Sequence, residues 1–220
     1  MKKRRVSREQ LMEAIASLTE HAYDPVQMHL RSMEGDPDRE EAEKLMIRAL
    51  TAGRGAIPPD TPFCPAILRR IGALDLTYRK VTDATVVLLT FMPRLYALNL
   101  SFTRVTDVGL RHLRRLTELR YLQLAGVPAT DAGLEFLPAL IWLDTLDLSA
   151  TQVTDAGLVH LRHHQGLQTL LLYYTGITDA GLEHLAPLTT LQTVVLINTQ
   201  VTDAGVAKLQ KRLPHTVIDH

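Results

Sequence analysis

The chain has 220 residues, of which 46% are hydrophobic and 22% are charged, and its 24 lysines and arginines balance its 24 aspartates and glutamates. This composition is that of an ordinary soluble protein, so it excludes intrinsic disorder and a collagen-like structure. The balanced charge argues against nucleic-acid binding, and no apolar run approaches the roughly 18 residues of a membrane-spanning helix. Cys64 is the only cysteine, so no internal disulfide can form, which favours a cytoplasmic protein.

Residues 1–67 lack the repeat that follows and are predicted to form short helices. Asp24-Pro25 and Asp36-Pro37 each place a capping residue before a proline at the first helical position. A proline-rich connector follows at 57–62. Two interpretations stay open for these helices. They cap the first repeat, or they form a separate docking module, for which no motif identifies a partner.

From residue 68 to residue 220 the sequence repeats with a period of 24 residues, giving about six repeats. A Thr-Asp pair marks the period, and five of the six pairs carry a glycine two positions after the aspartate. A unit of this length cannot bury its own apolar side, so successive units must stack around one shared core as a solenoid. The pairs are Thr82-Asp83, Thr106-Asp107, Thr130-Asp131, Thr154-Asp155, Thr178-Asp179 and Thr202-Asp203.

One repeat predicts a short strand followed by a helix. Alternation over 143–151 predicts a strand with Leu146 and Leu148 inward, and Leu158 and Leu161 share one face of the helix that follows. Thr154 or Asp155 is predicted to cap that helix, and the same capping role is expected for every aspartate of the series. Strands connected in this way are parallel and line a concave side, with the helices on the convex side.

The run Leu-x-x-Leu-x-Leu-x-x-Thr-x-Val-Thr-Asp-Ala-Gly-Leu-x-x-Leu over 143–161 resembles the leucine-rich repeat proteins. Its Thr-Asp-x-Gly-Leu signature is most similar to the cytosolic cysteine-containing and ribonuclease-inhibitor-like types. The chain differs in carrying threonine where the cysteine-containing type has cysteine, and Val127 in the third repeat. A threonine there can still hydrogen-bond the buried backbone of the turn. The resemblance implies an α/β leucine-rich repeat horseshoe that recognises a protein on its concave face.

The outward strand positions change character along the solenoid. They are mostly polar in the early repeats and include Asp75, Asn99, Ser101, Gln123, Asp147 and Ser149. In the fifth and sixth repeats the equivalent positions are apolar, and because neighbouring strands lie about 4.8 Å apart they would be contiguous. The predicted partner-binding patch consists of Leu171, Tyr173, Val195 and Ile197, with Tyr174 and Asn198 beside them. The alternative is that these side chains are covered within the chain or only satisfy strand propensity.

Four aromatic residues are further contact candidates. Tyr78 and Phe102 extend the aromatic content at the other end of the concave face, and Tyr121 occupies an outward position between the two ends. Trp142 precedes a strand where the sister repeats have Arg, Glu, Gly and Thr, so we expect it to be exposed at the rim of the solenoid.

No motif indicates an enzyme, a cofactor or a metal site. The chain has no phosphate-binding loop, no nucleophile elbow and no zinc-protease motif. His160, His164 and His184 could converge, but no carboxylate stands at a known metal spacing. We expect His164 to fill the slot that leucine holds in sister repeats, as a structural residue.

The sequence therefore predicts a non-catalytic cytoplasmic module that binds a protein or peptide on its concave face, without nucleic-acid or membrane partners. Two alternatives stay open. The chain self-associates through the apolar patch or through its last strand near Val217 and Ile218, or it is an adaptor whose amino-terminal helices recruit an enzyme.

Overall fold

The computed structural model describes residues 72–90 and 92–220. The predicted helices and connector within residues 1–67 lie outside this part of the chain. Seven parallel strands form one sheet in sequence order, and a helical segment connects each strand to the next. This is the α/β leucine-rich repeat solenoid that the sequence predicts.

The strands are three residues long and recur at the 24-residue period. They are β1 (Ala73–Asp75), β2 (Ala97–Asn99), β3 (Tyr121–Gln123), β4 (Thr145–Asp147), β5 (Thr169–Leu171), β6 (Thr193–Val195) and β7 (Val217–Asp219). The α-helices are α1 (Asp83–Leu89), α2 (Asp107–Leu110), α3 (Asp155–Leu158), α4 (Asp179–Leu185) and α5 (Asp203–Arg212). The 3₁₀ segments are η1 (Arg111–Arg115), η2 (Asp131–Ala139) and η3 (Val159–Leu161). In the described part of the chain, no helix is long and apolar enough to cross a membrane.

The strands stack in perfect repeat register. Leu98 pairs with Leu122, and Leu122 pairs with Leu146, so the middle residue of each strand points to the same side. These leucines are buried together with the leucines that precede and follow each strand. The shared core predicted from the sequence is therefore one continuous apolar cluster that extends through the repeats.

The aspartate of each of the first five Thr-Asp pairs joins its repeat to the next. Asp83 accepts two hydrogen bonds from Thr106, with Oδ1 2.7 Å from the backbone nitrogen and Oδ2 2.8 Å from Oγ1. The same two bonds recur from Thr130, Thr154, Thr178 and Thr202 to the aspartate 23 residues earlier. At the last of these joints the hydrogen bonds from Thr202 lower the pKa of the Asp179 carboxyl.

The predicted capping role of the aspartates is therefore wrong. Threonine caps three of the helices, since the hydroxyls of Thr106, Thr178 and Thr202 accept backbone N–H groups of the first helical turn. Each aspartate lies at a helix amino terminus, where its charge is favourable. The side chains of the first five bind the following repeat, and Asp203 contacts His220. The capping prediction was based on the sequence of a single repeat. The true partner lies 23 residues away, in the next repeat.

The glycine of the motif makes room for that carboxylate. A Cβ atom on Gly181 would lie 2.2 Å from Asp155 Oδ1, and one on Gly133 would lie 2.2 Å from Asp107 Oδ1. The first Thr-Asp pair has Thr85 in place of glycine, and the position 24 residues before Asp83 is Pro59, which carries no carboxylate. The motif therefore has glycine in those repeats whose preceding repeat supplies an aspartate.

The threonines that replace cysteine in the turn after each strand are satisfied as predicted. Thr103 Oγ1 donates to the Leu100 carbonyl at 2.7 Å, and Thr151 Oγ1 donates to the Leu148 carbonyl at 2.6 Å. Thr175 and Thr199 make the equivalent bond. An apolar residue at these positions would remove the hydroxyl that donates to the backbone carbonyl.

His164 is buried in the core, as its place in the leucine column predicts. Its side chain is 4% exposed, and its Nε2 atom has no hydrogen-bond partner among the described residues. Burial lowers the pKa of His164, and the nearby His163 acts in the same direction. Within the described ranges, no group of three or more histidine, cysteine or acidic residues is arranged to hold a metal ion.

Replacing Gly181 with alanine should destabilise the protein, because the new Cβ would collide with the Asp155 carboxylate. We expect a loss of about 1–3 kcal/mol in the free energy of unfolding, measured by urea denaturation. Gly166→Ala is the matched control, since its Cβ would have no neighbour closer than 3.7 Å. A Gly181→Ala protein as stable as the Gly166→Ala protein would contradict the steric role of the glycine.

Replacing His164 with leucine should reduce the loss of stability at acidic pH. The pKa of His164 is below its ordinary value of 6.5 in the folded state, so the unfolded chain takes up the proton first as the pH falls. The free energy of unfolding of the wild type therefore decreases as the pH falls below about 6.5. The free energy of unfolding of the variant should decrease less between about pH 8 and pH 5.5. The measurement is urea denaturation at both pH values, with His215→Leu, at an exposed position, as the control. Parallel losses in wild type and His164→Leu would refute the assignment.

Candidate functional site on the concave face

The predicted patch residues of the fifth and sixth repeats lie side by side on the sheet. Leu171 on β5 pairs in register with Val195 on β6. Tyr173 and Ile197 follow two residues later, and the ladder continues to them, since the Tyr174 nitrogen donates to the Ile197 carbonyl at 3.1 Å. Leu171, Tyr173 and Ile197 are half-buried, so each retains solvent-exposed surface.

Val195 departs from the prediction, because it is buried with 6% of its surface exposed. It lies between β5 and β7, where Leu171 and Asp219 flank it in register. Ser101 and Ser149 were also expected at exposed positions and are buried. Short side chains within a closely spaced parallel sheet are covered by their neighbours, which alternation along one strand does not reveal.

Side chains of the early repeats stabilise the turn that follows each strand. Asp75 Oδ1 accepts the Thr77 backbone N–H, and Asp147 Oδ1 accepts that of Ser149, both at 2.9 Å. Asn99 makes the same bond to Ser101. These are Asx-type turns, in which a short polar side chain binds the backbone two residues ahead. Leu171 and Val195 occupy the equivalent positions and carry no acceptor, so the apolar patch forgoes a bond worth about 0.5–1.5 kcal/mol at each position.

The second residue of each turn has a left-handed backbone. Five of these residues are not glycine, and their φ angles lie between 52° and 58°. They are Tyr78, Phe102, Ala150, Tyr174 and Asn198, and Gly126 with φ 66° holds the remaining position. Asparagine and glycine adopt this region most readily, so the aromatic residues are held there at a conformational cost. Of these, Tyr174 is 66% exposed and lies beside the patch.

Tyr78 and Phe102 form a separate aromatic pair three repeats from the patch. Their rings stack with centroids 4.7 Å apart and an interplanar angle of 8°. Tyr78 is 72% exposed and Phe102 is 47% exposed. The Phe102 ring also lies over Gly126, where an added Cβ would come within 2.5 Å of it. The pair shares the turn column with Tyr174 but does not contact it.

The remaining two candidates are exposed but lie apart from the patch. Tyr121 is on β3, two strands before β5. Trp142 is 57% exposed in the turn before β4, as expected for the rim, and its neighbour Ile141 is also exposed. The structure thus divides the ten predicted contact residues into a patch on β5 and β6, an aromatic pair and two isolated side chains.

The convex side presents a polar groove between α4 and α5. Its lining includes Glu183 and Lys208, whose side-chain atoms Oε1 and Nζ lie 2.5 Å apart. The Lys208 ammonium lowers the pKa of the Glu183 carboxyl. These charges are exposed and satisfy each other, so the pair adds little to stability.

Solved structures of leucine-rich repeat proteins are similar to this chain. Internalin C2 from Listeria monocytogenes is 29% identical with a TM-score of 0.58 over 70% of this chain and 63% of its own. A second Listeria monocytogenes internalin, InlF, is 21% identical with a TM-score of 0.54 over 70% of this chain and 48% of its own. A leucine-rich repeat protein from Leptospira interrogans is 20% identical with a TM-score of 0.55 over 70% of this chain and 38% of its own.

These neighbours support a leucine-rich repeat protein, and the chain spans less than two thirds of the length of each. No protein-family model matches the chain. No curated protein sequence matches it.

Exchanging the turn residues of the fifth and sixth repeats should reveal the conformational cost at Tyr174. Tyr174→Asn should raise the free energy of unfolding by about 0.5–1 kcal/mol, because asparagine tolerates a positive φ better than tyrosine. Asn198→Tyr is the reciprocal control and should lower stability by a similar amount. Both are measured by urea denaturation. If Tyr174→Asn is destabilising, the exposed tyrosine contributes packing that outweighs the backbone cost.

Proposed function

We propose that this chain is a non-catalytic module that binds a protein or peptide on its concave face. The contacts are Leu171, Tyr173 and Ile197, with Tyr174 and Asn198 at the adjoining turns. The repeat type with the Thr-Asp-x-Gly signature and a cytoplasmic location are parts of the same proposal, and they rest on the sequence.

The observation that carries this proposal is the loss of the turn-stabilising acceptor at Leu171 and Val195. The fold uses aspartate or asparagine at this position in three other repeats, so apolar residues are not a structural requirement there. Leu171, Tyr173 and Ile197 instead place half-buried aliphatic and aromatic surface next to the exposed Tyr174. Exposed apolar groups that gather at one place indicate a binding surface.

The size of the patch limits what it can achieve alone. Covering the exposed part of three half-buried side chains is worth about 1 kcal/mol each. Association costs at least about 4 kcal/mol in lost freedom of motion. The patch is therefore an anchor that requires contacts beyond its edges, and Tyr174 offers the nearest apolar surface. The general use of leucine-rich repeat folds as protein-interaction modules supports the same conclusion.

Introducing charge into the patch should abolish binding without unfolding the protein. The variant Leu171→Glu/Ile197→Glu is chosen because both side chains are half-buried, whereas glutamate at the buried Val195 would disturb the sheet. Cross-linking in a native lysate followed by mass spectrometry should recover a partner with the wild type. We expect the variant to recover less than about a tenth as much, which corresponds to a loss of more than 1.4 kcal/mol.

The matched control is Ala156→Glu/Ala180→Glu, which adds the same two charges at exposed positions of α3 and α4 on the convex side. Circular dichroism must show that both variants keep the fold. Equal recovery by the wild type and the patch variant would show that the concave patch is not the binding surface.

Self-association is the second candidate, and the last strand favours it. Within the described residues β7 pairs only with β6, so its other edge is open, and Val217 beside that edge is exposed. Open edges with apolar side chains pair readily with another chain. Light scattering over a concentration range should show a rising mass that Val217→Lys abolishes, whereas a constant monomer mass would exclude this candidate.

The adaptor role depends on residues 1–67 and stays a prediction.

A further inference from the structure

The strands, and the three residues that follow each of the first six strands, carry no basic side chain. The six-residue segments that begin at Ala73, Ala97, Tyr121, Thr145, Thr169 and Thr193 contain no lysine or arginine, nor does Val217–Asp219. The charged side chains in these segments are Asp75, Asp147 and Asp219. The protein as a whole has no net charge, so this asymmetry belongs to the face and not to the composition.

Two of these aspartates lie at the two sides of the patch. Asp147 on β4 pairs in register with Leu171, and Asp219 on β7 pairs in register with Val195. Across the sheet this row therefore reads Asp147, Leu171, Val195, Asp219. Three strand spacings of about 4.8 Å separate the two aspartates, which gives about 14 Å. The apolar surface is thus enclosed by negative charge along the direction that crosses the strands.

Neither carboxylate is neutralised by a basic side chain in its own segment. Asp147 uses Oδ1 to accept the Ser149 backbone N–H, which is a bond to a neutral group. Asp219 is exposed, and the adjacent His220 directs its Nε2 to Asp203 Oδ1 at 3.1 Å instead. Within these segments a partner therefore meets negative charge on either side of an apolar centre.

We propose that the partner is an extended polypeptide segment that crosses the strands, with an apolar centre flanked by two basic residues. This inference rests on the proposed function and specifies its partner. An extended chain advances about 3.3–3.6 Å per residue, so a separation of about 14 Å corresponds to a lysine or arginine at each end of four residue steps. The apolar side chain between them covers Leu171, Tyr173 and Ile197.

Electrostatics supplies selectivity in this arrangement and the apolar contact supplies the anchor. Exposed ion pairs add little affinity, but they reject acidic segments and speed the encounter with basic ones. The same field repels nucleic acids, whose backbone is uniformly negative. The binding should weaken as salt rises, because screening acts on exposed charges.

The test is selection of random twelve-residue peptides displayed on phage against the wild-type protein. Enriched sequences should carry two basic residues about four positions apart around an apolar residue. One such peptide, synthesised with a fluorescent label, then serves for anisotropy measurements. Asp147→Asn/Asp219→Asn should raise its Kd by roughly 3- to 20-fold at low salt. Asparagine keeps the acceptor that Asp147 offers to Ser149, so this variant removes charge and preserves the turn.

Asp75→Asn is the matched control, since it removes an aspartate of the same column three strands from Asp147 and should leave the Kd within about 2-fold. Selection against Asp147→Lys/Asp219→Lys should enrich acidic residues in place of basic ones.

Enriched peptides without a basic preference, or an unchanged Kd in the double asparagine variant, would overturn this inference. If Leu171→Glu/Ile197→Glu still abolishes the binding of such peptides, the proposed function stands. The absence of any enriched peptide would also overturn the inference of an extended partner, and the cross-linking experiment decides the proposed function separately.

Discussion

The structure depends on a carboxylate that each repeat extends to the next. Five aspartates accept the backbone N–H and the hydroxyl of a threonine in the following repeat, at 2.6–2.9 Å. The carboxylate fits over a glycine, which explains the glycine that five of the six Thr-Asp pairs carry. The Thr-Asp-x-Gly signature thus reflects one contact between adjacent repeats, in which the aspartate comes from one repeat and the threonine and glycine come from the next. Since every repeat needs its neighbour for this bond and for its core, the stack is stable as a whole.

Because these contacts lie at the helix amino termini, they do not restrict which residues occupy the outward positions of the strands. The remaining local demand on the concave face is the turn after each strand, where Asp75, Asn99 and Asp147 supply an acceptor. The fifth and sixth repeats lack this acceptor. Their turns still form, with a left-handed backbone at the equivalent residues Tyr174 and Asn198. The fold therefore tolerates apolar residues at these two strand positions.

The concave face is not uniform, and its differences follow the strand order. A stacked aromatic pair lies at its first two repeats, small side chains such as Ala125 and Ser149 are buried in the middle, and the apolar patch lies at the far end. The aspartates that border the patch give it a direction across the strands. In the proposed complex, an apolar centre combined with charge of one sign would select partners by composition as well as by shape.

The sequence by itself determined the period, the strand and helix of each repeat, the shared leucine core and the place of His164. These features follow from spacing, since burial repeats with the same period as the chain. The tertiary structure decided the role of the aspartates and the burial of Val195, Ser101 and Ser149, because each depends on side chains from neighbouring repeats. It also decided that Asp147 and Asp219 enclose the patch, since residues 72 positions apart become neighbours of one surface only when the repeats stack.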